Sequence, residues 1–451
     1  MDLLEKASII LTPTAYNNGE ALCVKPSDGS GDFDFSRNSA ATRVNAQGLV
    51  ENVQILSSNL VQNGDFSELG TEEVSNGSFS QEGSELVTNG NFDTDSDWVT
   101  NDWVISDGVA TLPTTSTSNL NQAIGLVQNK FYKIVFTISN TTLGGVRVRL
   151  GTGTISSEFT NGTHTIYLEQ TTTNDAFRFY ADASGVFTGS IDNVSCKEVG
   201  QDWSFGTGWS VGEDKAVSDG SQTGNSLLQQ ASILTLNKTY KVSYELIVTS
   251  GSIYARLGFS GAGVVRTTSG TFVEYIECDG NTNFDFLANS SFEGSVTNIS
   301  VKEVGQNWNL IGTATITENQ ANIVTASAVT GISQTNILTI GESYKLTYNI
   351  VSNNNGGLKI SGNEIPSVVG NNTYYFTASA TALEILRNSG ATDISISNIS
   401  VIEITDDTNL PRINYEGFSY QDALGSELIT NGGFSNGSTD WILNDWTVAD
   451  G

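Results

Sequence analysis

A fourteen-residue seam limits what this chain can fold into more than any other feature of its sequence. Residues 295–308, SVTNISVKEVGQNW, repeat residues 190–203, SIDNVSCKEVGQDW, almost letter for letter, and residues 395–404, SISNISVIEI, repeat the first half once more. The copies begin at Ser190, Ser295 and Ser395, so the period is 105 and then 100 residues. Solenoid turns repeat every ~20–50 residues. The period here is that of whole domains, with one module ending and the next beginning at the seam.

The strongest strand inside each module identifies the fold class. FYKIVFTIS, TYKVSYELI and SYKLTYNIV alternate so that Tyr132, Ile134, Phe136 and Ile138 share one face, as do Tyr240, Val242, Tyr244 and Leu246, and Tyr344, Leu346, Tyr348 and Ile350. Lys133, Lys241 and Lys345 fall on the opposite, wetter face. Period two held over a strand in three copies predicts antiparallel sheet with one buried face. In the closing strand Ile191 and Val194, like Val296 and Ile299, fall out of phase, which predicts a bulge just before Asn193, Asn298 and Asn398. The expected class is all-β: tandem antiparallel β-sandwiches after an irregular N-terminal region.

The modules are placed at 85–199, 200–304 and 305–404, with almost no linker, which favours a rigid rod. Residues 1–84 form an unrepeated N-terminal region of short strands and turns that ends in two extra openings, and 405–451 a connector followed by the opening of a fourth module. Three openings precede the repeats: NLVQNGDF at 59–66, EEVSNGSF at 72–79 and ELVTNGNF at 85–92, each carrying an Asn-Gly turn signal. Only the third runs straight into a complete module, so the first two read as vestigial or docking copies. ELITNGGF and its continuation, at 427–451, stop where a fourth module should go on, so either the chain is a fragment or this stub pairs with something else.

Composition narrows the function. Charged residues are only 15%, against a usual ~25%, and 20 basic against 49 acidic residues leave a net charge of −29. Such a surface repels phosphate backbones and anionic membranes, so nucleic acid is not an expected partner. No stretch approaches the ~20 apolar residues of a membrane helix, so no membrane insertion is expected. Cys23, Cys196 and Cys278 are too few for a disulfide framework; Cys196 reads as a core residue and Cys278 as an edge residue. The start, MDLLEKASIILTPTAY, lacks the basic region and cleavage site of a signal peptide, which predicts folding in a cytoplasm despite an external-looking composition.

The candidate sites are sparse. All seven tryptophans lie in module openings. Trp98 and Trp203, the first of their openings, suit core packing, whereas Trp103 and Trp209, whose counterpart in the third module is Ala314, are the better candidates for platforms on which sugar rings stack. Asp93, Asp95 and Asp97 form an Asp-x-Asp-x-Asp run, and with Asp192 they are weak calcium candidates. The run lacks the glycine and glutamate of a calcium loop, and Thr297 and Ser397 replace Asp192 in the later modules. The lone histidine, His164, aligns with Phe272, leaving no triad, and no catalytic residue is expected.

Over 85–404 the modules resemble the jelly-roll carbohydrate-binding modules of bacterial glycanases and surface proteins. Asn89 to Phe92, Trp98, Tyr132-Lys133 and Asp192 to Ser195 carry the likeness. The flanks FDFSRNSAATRVNAQGLVE (33–51) and NLPRINYEG (409–417) resemble segments of tail-fibre and other appendage proteins of tailed bacteriophages, where they lie close together. These resemblances imply a non-enzymatic virion protein, a tail or head fibre or capsid decoration, that docks to other virion proteins through its N-terminal region, trimerises, and holds host-surface or mucosal glycans. A purely structural virion protein with spacer modules and a bacterial surface adhesin are the alternatives. The flank resemblance also implies that residues 33–58 pack against 405–420.

Overall fold

The computed structural model describes residues 57–404, apart from 115, 117, 154 and 182–186, together with Ile442 and five short upstream strands. Those strands form a three-stranded antiparallel sheet (Ile10–Ala15, Glu20–Lys25, Phe33–Asp34) and a hairpin (Ala41–Val44 with Val50–Val53). The contact expected between 33–58 and 405–420 and, Ile442 apart, the stub at 427–451 lie outside the described residues.

Residues 82–404 fold into three β-sandwiches, each of two antiparallel sheets. In module 1 the order Gly162–Glu169, Phe131–Gly144, Phe187–Val199, Val109–Leu112, Val104–Ser106 faces the sheet Val146–Leu150, Ala176–Ala181, Asn119–Ala123. In modules 2 and 3 the corresponding first sheets centre on Thr239–Ser250 paired with Glu293–Glu303 and Ser343–Asn355 paired with Thr392–Ile404. No helix among the described residues is long and apolar enough to cross a membrane. The class is all-β, as the alternation predicts.

The alternation fills the cores. Tyr132, Ile134, Phe136 and Ile138, and their counterparts in modules 2 and 3, are buried, while Lys133, Lys241 and Lys345 lie at the half-buried outer face. Each leading tyrosine also satisfies a loop: Val127, Thr235 and Thr339 donate their backbone N–H to the hydroxyls of Tyr132, Tyr240 and Tyr344 at 2.8, 2.7 and 2.8 Å. A buried phenol needs such a partner, which explains tyrosine rather than phenylalanine there. The expected bulges are present, at each asparagine and the residue after it rather than just before it. Between Ser195 and Asp192 the closing strand advances three residues while its partner advances two, from Val135 to Thr137, and modules 2 and 3 repeat the shift. Asn193, Asn298 and Asn398 absorb the extra residue at φ +52°, +51° and +52°, a left-handed conformation asparagine tolerates.

The joints are packed. Gly200 has φ +70°, and a Cβ on it would meet Val211 Cγ2 at 2.6 Å; at Gly305, φ +73°, it would meet Ile316 Cδ1 at 2.4 Å. Phe205 of module 2 lies edge-on to Phe131 of module 1 at 4.9 Å, and Tyr167 and Tyr275 pack against the cores of modules 2 and 3. Cys278 is a correction: it is fully buried in the core of module 2 and is no edge residue.

Candidate functional site

The first two openings are not vestigial. Together with the third they form a strap that runs past the modules in reverse order: 85–92 enters module 1, 72–79 module 2 and 59–66 module 3. The bulges explain where they bind. A bulge frees the N–H of the residue after the asparagine from the ladder, and beyond it the closing strand turns an edge carbonyl the same way; buried backbone groups need partners. Val194, Ile299 and Ile399 donate their N–H to the carbonyls of Gly90, Gly77 and Gly64 at 2.8, 3.0 and 2.8 Å. In return Leu86, Glu73 and Leu60 donate to the carbonyls of Cys196, Val301 and Val401 at 3.0, 3.0 and 2.9 Å. A Cβ on Gly90, Gly77 or Gly64 would lie 2.0 Å from the carbonyl oxygen of Val194, Ile299 or Ile399, so the Asn-Gly glycine is required by close approach.

Side chains complete the clasp. Gln122, Gln230 and Gln334, all buried, accept the N–H of Thr88, Ser75 and Gln62 on their Oε1 and donate Nε2 to the carbonyls of the same residues. Glu85 and Glu72 accept the N–H of Cys196 and Val301 at 2.8 and 2.7 Å, and the hydroxyls of Ser195 and Ser300. In the first opening Asn59 does this work, accepting from Val401 at 3.0 Å. Phe92, Phe79 and Phe66 insert beside Trp98, Trp203 and Trp308 with centroids 5.3, 5.1 and 5.3 Å apart. These phenylalanines hold φ of +52°, +56° and +56°, outliers for so bulky a residue, sustained by near-complete burial of the ring.

In module 1 an ion cluster adds to the strap. Glu82 accepts from Lys133 at 2.6 Å and Lys197 at 2.9 Å, and these bonds hold its carboxyl below the ordinary glutamate range. A depressed folded value contributes stability above the unfolded pKa of ~4.3 and loses it as pH falls through the folded value. The strap of module 1 is therefore expected to loosen in acid below about pH 4, and Glu82→Gln to flatten that dependence in amide-exchange profiles recorded against pH.

The structure corrects the sugar-platform reading of the tryptophans. Trp98, Trp103, Trp203 and Trp209 are 8%, 3%, 6% and 4% exposed, so no indole face is open to a sugar ring. Trp98, Trp203 and Trp308 donate Nε1 to the carbonyls of Asn89, Asn76 and Asn63 at 3.1, 3.2 and 2.9 Å, which makes them part of the clasp. Trp103 and Trp209 pack on Phe187 and Phe292. The calcium candidates are not brought together: among the described residues no group of three or more His, Cys, Asp or Glu converges. Asp93 accepts from Asn91, Asp95 is exposed, and Asp192 caps the bulge by accepting the backbone N–H of Asn193 at 2.6 Å. His164 pairs opposite Phe136, as Phe272 does opposite Tyr244, and fills a strand position.

A groove of about 570 Å³ lies where module 2 meets module 3, lined by Lys241, Arg266, Glu274, Tyr275, Thr317 and Glu318 among others. Sequence reasoning missed it because its walls come from two modules.

These features define a tandem β-sandwich protein whose modules are each completed by a strap from the N-terminal side. No protein-family model matches the chain, and no curated protein does. Among solved structures it is similar to the tandem CBM22 modules of Paenibacillus barcinonensis Xyn10C, at 8% identity and a TM-score of 0.19, covering 46% of this chain and 94% of that one. It is also similar to a triple jelly-roll protein of an archaeal virus turret, at 12% identity and a TM-score of 0.19, covering 67% and 87%. Tandem CBM51 modules of a Streptococcus pneumoniae family 98 glycoside hydrolase match at 8% identity and a TM-score of 0.16, covering 53% and 97%.

Proposed function

We propose that this chain is a non-enzymatic structural protein of a phage virion, a tail or head fibre or a decoration, in which the sandwiches form a stiff spacer arm. The observation that carries this reading is that the array begins and ends at one place. Ser57 donates its N–H to the carbonyl of Glu403 at 3.1 Å, and Glu403 donates its own to Ser57 Oγ at 2.9 Å. An arm whose entry and exit are adjacent inserts into a host domain without disturbing it. The resemblance of the flanks at 33–51 and 409–417 to phage appendage proteins supports a virion-attachment domain as that host, docked to other virion proteins and trimeric as fibres are.

Two tests apply. Serum against residues 200–304 should label purified virions from the source in electron micrographs; label on cells and on no particle would replace this reading with the adhesin. Deleting 200–304 together with 69–81, which leaves Glu82 and its two lysines in place, is expected to give a folded arm shorter by one module. Deleting 200–304 alone strands Val74 and Phe79, whose core is gone, and should give a soluble yield reduced by aggregation.

A second reading, glycan holding, is favoured by the groove at the joint between modules 2 and 3, where charged side chains surround a tyrosine in a setting suited to sugar hydroxyls. Lys241→Ala and Glu318→Ala are each expected to weaken binding on a mucosal glycan array about tenfold or more, at about 1.5–3 kcal/mol per charged hydrogen bond, with melting unchanged.

A further inference from the structure

The strap and the modules behave as ligand and receptor. Two of the three seated segments are remote in sequence from the module they complete: Phe79 sits against Trp203, and Phe66 against Trp308. Each is recognised by the same elements: a bulge that offers one N–H, the strand edge two residues on that offers one C=O, a buried glutamine that reads one backbone residue, and an aromatic slot. None of these elements needs the segment to be joined to the module. The pattern read is Glu or Asn, any residue, Val, any residue, Asn, Gly, any residue, Phe; residues 427–434, ELITNGGF, follow it with Ile in place of Val.

We propose that each module is a strand-acceptor site for extended peptides of this pattern, and that a second copy of this chain supplies such a segment in trans by strap exchange. Main-chain bonding of an added strand gives affinity, and the pockets beside it give specificity. Glycine selects because any Cβ meets the bulge carbonyl, and phenylalanine selects because the slot beside the tryptophan is closed on all other sides. The first residue varies: Glu85 and Glu72 each take a serine hydroxyl as well as a backbone N–H, whereas Asn59 takes the backbone N–H of Val401. Ser400 stands in module 3 where Ser195 and Ser300 stand in the others, so each module offers the same two donors to the segment's first residue. This inference does not depend on the virion reading.

The test uses the full chain. Gly77→Val places a side chain against Ile299 O and expels the second opening, leaving the cleft of module 2 free. A fluorescein-labelled peptide of residues 70–81 is expected to bind this variant saturably, about tenfold or more tighter than the same peptide carrying Gly77→Val. The wild-type chain, its cleft filled, should bind the peptide far more slowly. A variant that keeps its strand signal in circular dichroism yet binds neither peptide, or binds both equally, overturns the proposal. Should Gly77→Val fail to fold, a sequence-specific protease site placed at the exposed Ser80 and Gln81 decides instead. After cleavage there and at a second such site at the exposed Ser67 and Glu68, the excised segment, no longer tied to the opening seated in module 3, is expected to co-elute with the remainder and to leave it when excess peptide is added. Its loss without peptide from a still-folded remainder, or its retention against any excess, overturns the proposal.

Discussion

Phe79→Ala is expected to destabilise module 2, which begins more than a hundred residues further along the chain, by about 3–5 kcal/mol, and to leave module 3 unchanged. The ring of Phe79 is 1% exposed and touches Trp203 at 5.1 Å and Phe205 at 6.4 Å. Truncation removes a large apolar side chain and opens a cavity that the rigid sandwich cannot close. It also relaxes the φ of +56° that only the seated ring sustains, so the segment loses its reason to stay. Native-state hydrogen exchange resolved by module is the measurement. Loss of protection confined to Tyr240, Val242 and their ladder partners is the expected result. Loss confined to residues 57–92, with module 2 still protected, would show that the strap is an ornament of the fold. Because Phe205 also touches Phe131, a small loosening of the joint with module 1 accompanies the main effect.

Much of this architecture was legible in the sequence. Alternation with a period of two identified the buried face of each central strand, and the phase slip between Ile191 and Val194 located a bulge that register confirms. Strap pairing was not read, although its signal was present. Modules 2 and 3 begin at Gly200 and Gly305 with no opening of their own, while two openings upstream had no module. Matching the two counts would have paired them. Their order could not follow from counting, since it depends on the strap running antiparallel to the array. The tryptophans misled for a physical reason: a position that varies between copies, Trp103 and Trp209 against Ala314, was taken as dispensable to packing. Yet Ala314 is itself buried, at 6% exposure, so that the site is core in all three and only its filling differs. The groove was invisible because Lys241 and Glu318 belong to different modules, and nothing in either repeat marks them as neighbours.

Glu274→Ala is the second large effect, expected at about 3–5 kcal/mol in module 2. The carboxylate is 7% exposed and serves three donors: the Tyr244 hydroxyl at 2.6 Å, the Arg266 guanidinium at 3.0 Å and the Val264 N–H at 2.6 Å. Arg266 is stacked over Phe272 at 4.2 Å and cannot turn to solvent without giving up that contact. Removing the acid alone leaves a partly buried cation and a buried hydroxyl unpaired. The sister modules show that the charge is not required by the fold. At the same register, opposite the strand residue that corresponds to Val242, module 1 carries Ile166 opposite Ile134 and module 3 carries Tyr374 opposite Leu346. Replacing a buried pair by apolar residues of similar volume is often neutral or stabilising, whereas breaking it is not. Glu274→Ile combined with Arg266→Leu is therefore expected to recover most of what Glu274→Ala loses, with the Tyr244 hydroxyl accounting for a remainder of about 1 kcal/mol. Thermal and urea unfolding of the two variants beside the wild type measure this. A double variant as unstable as Glu274→Ala would mean that module 2 depends on the charge itself, and the groove that these side chains line would then be the place to look for the reason.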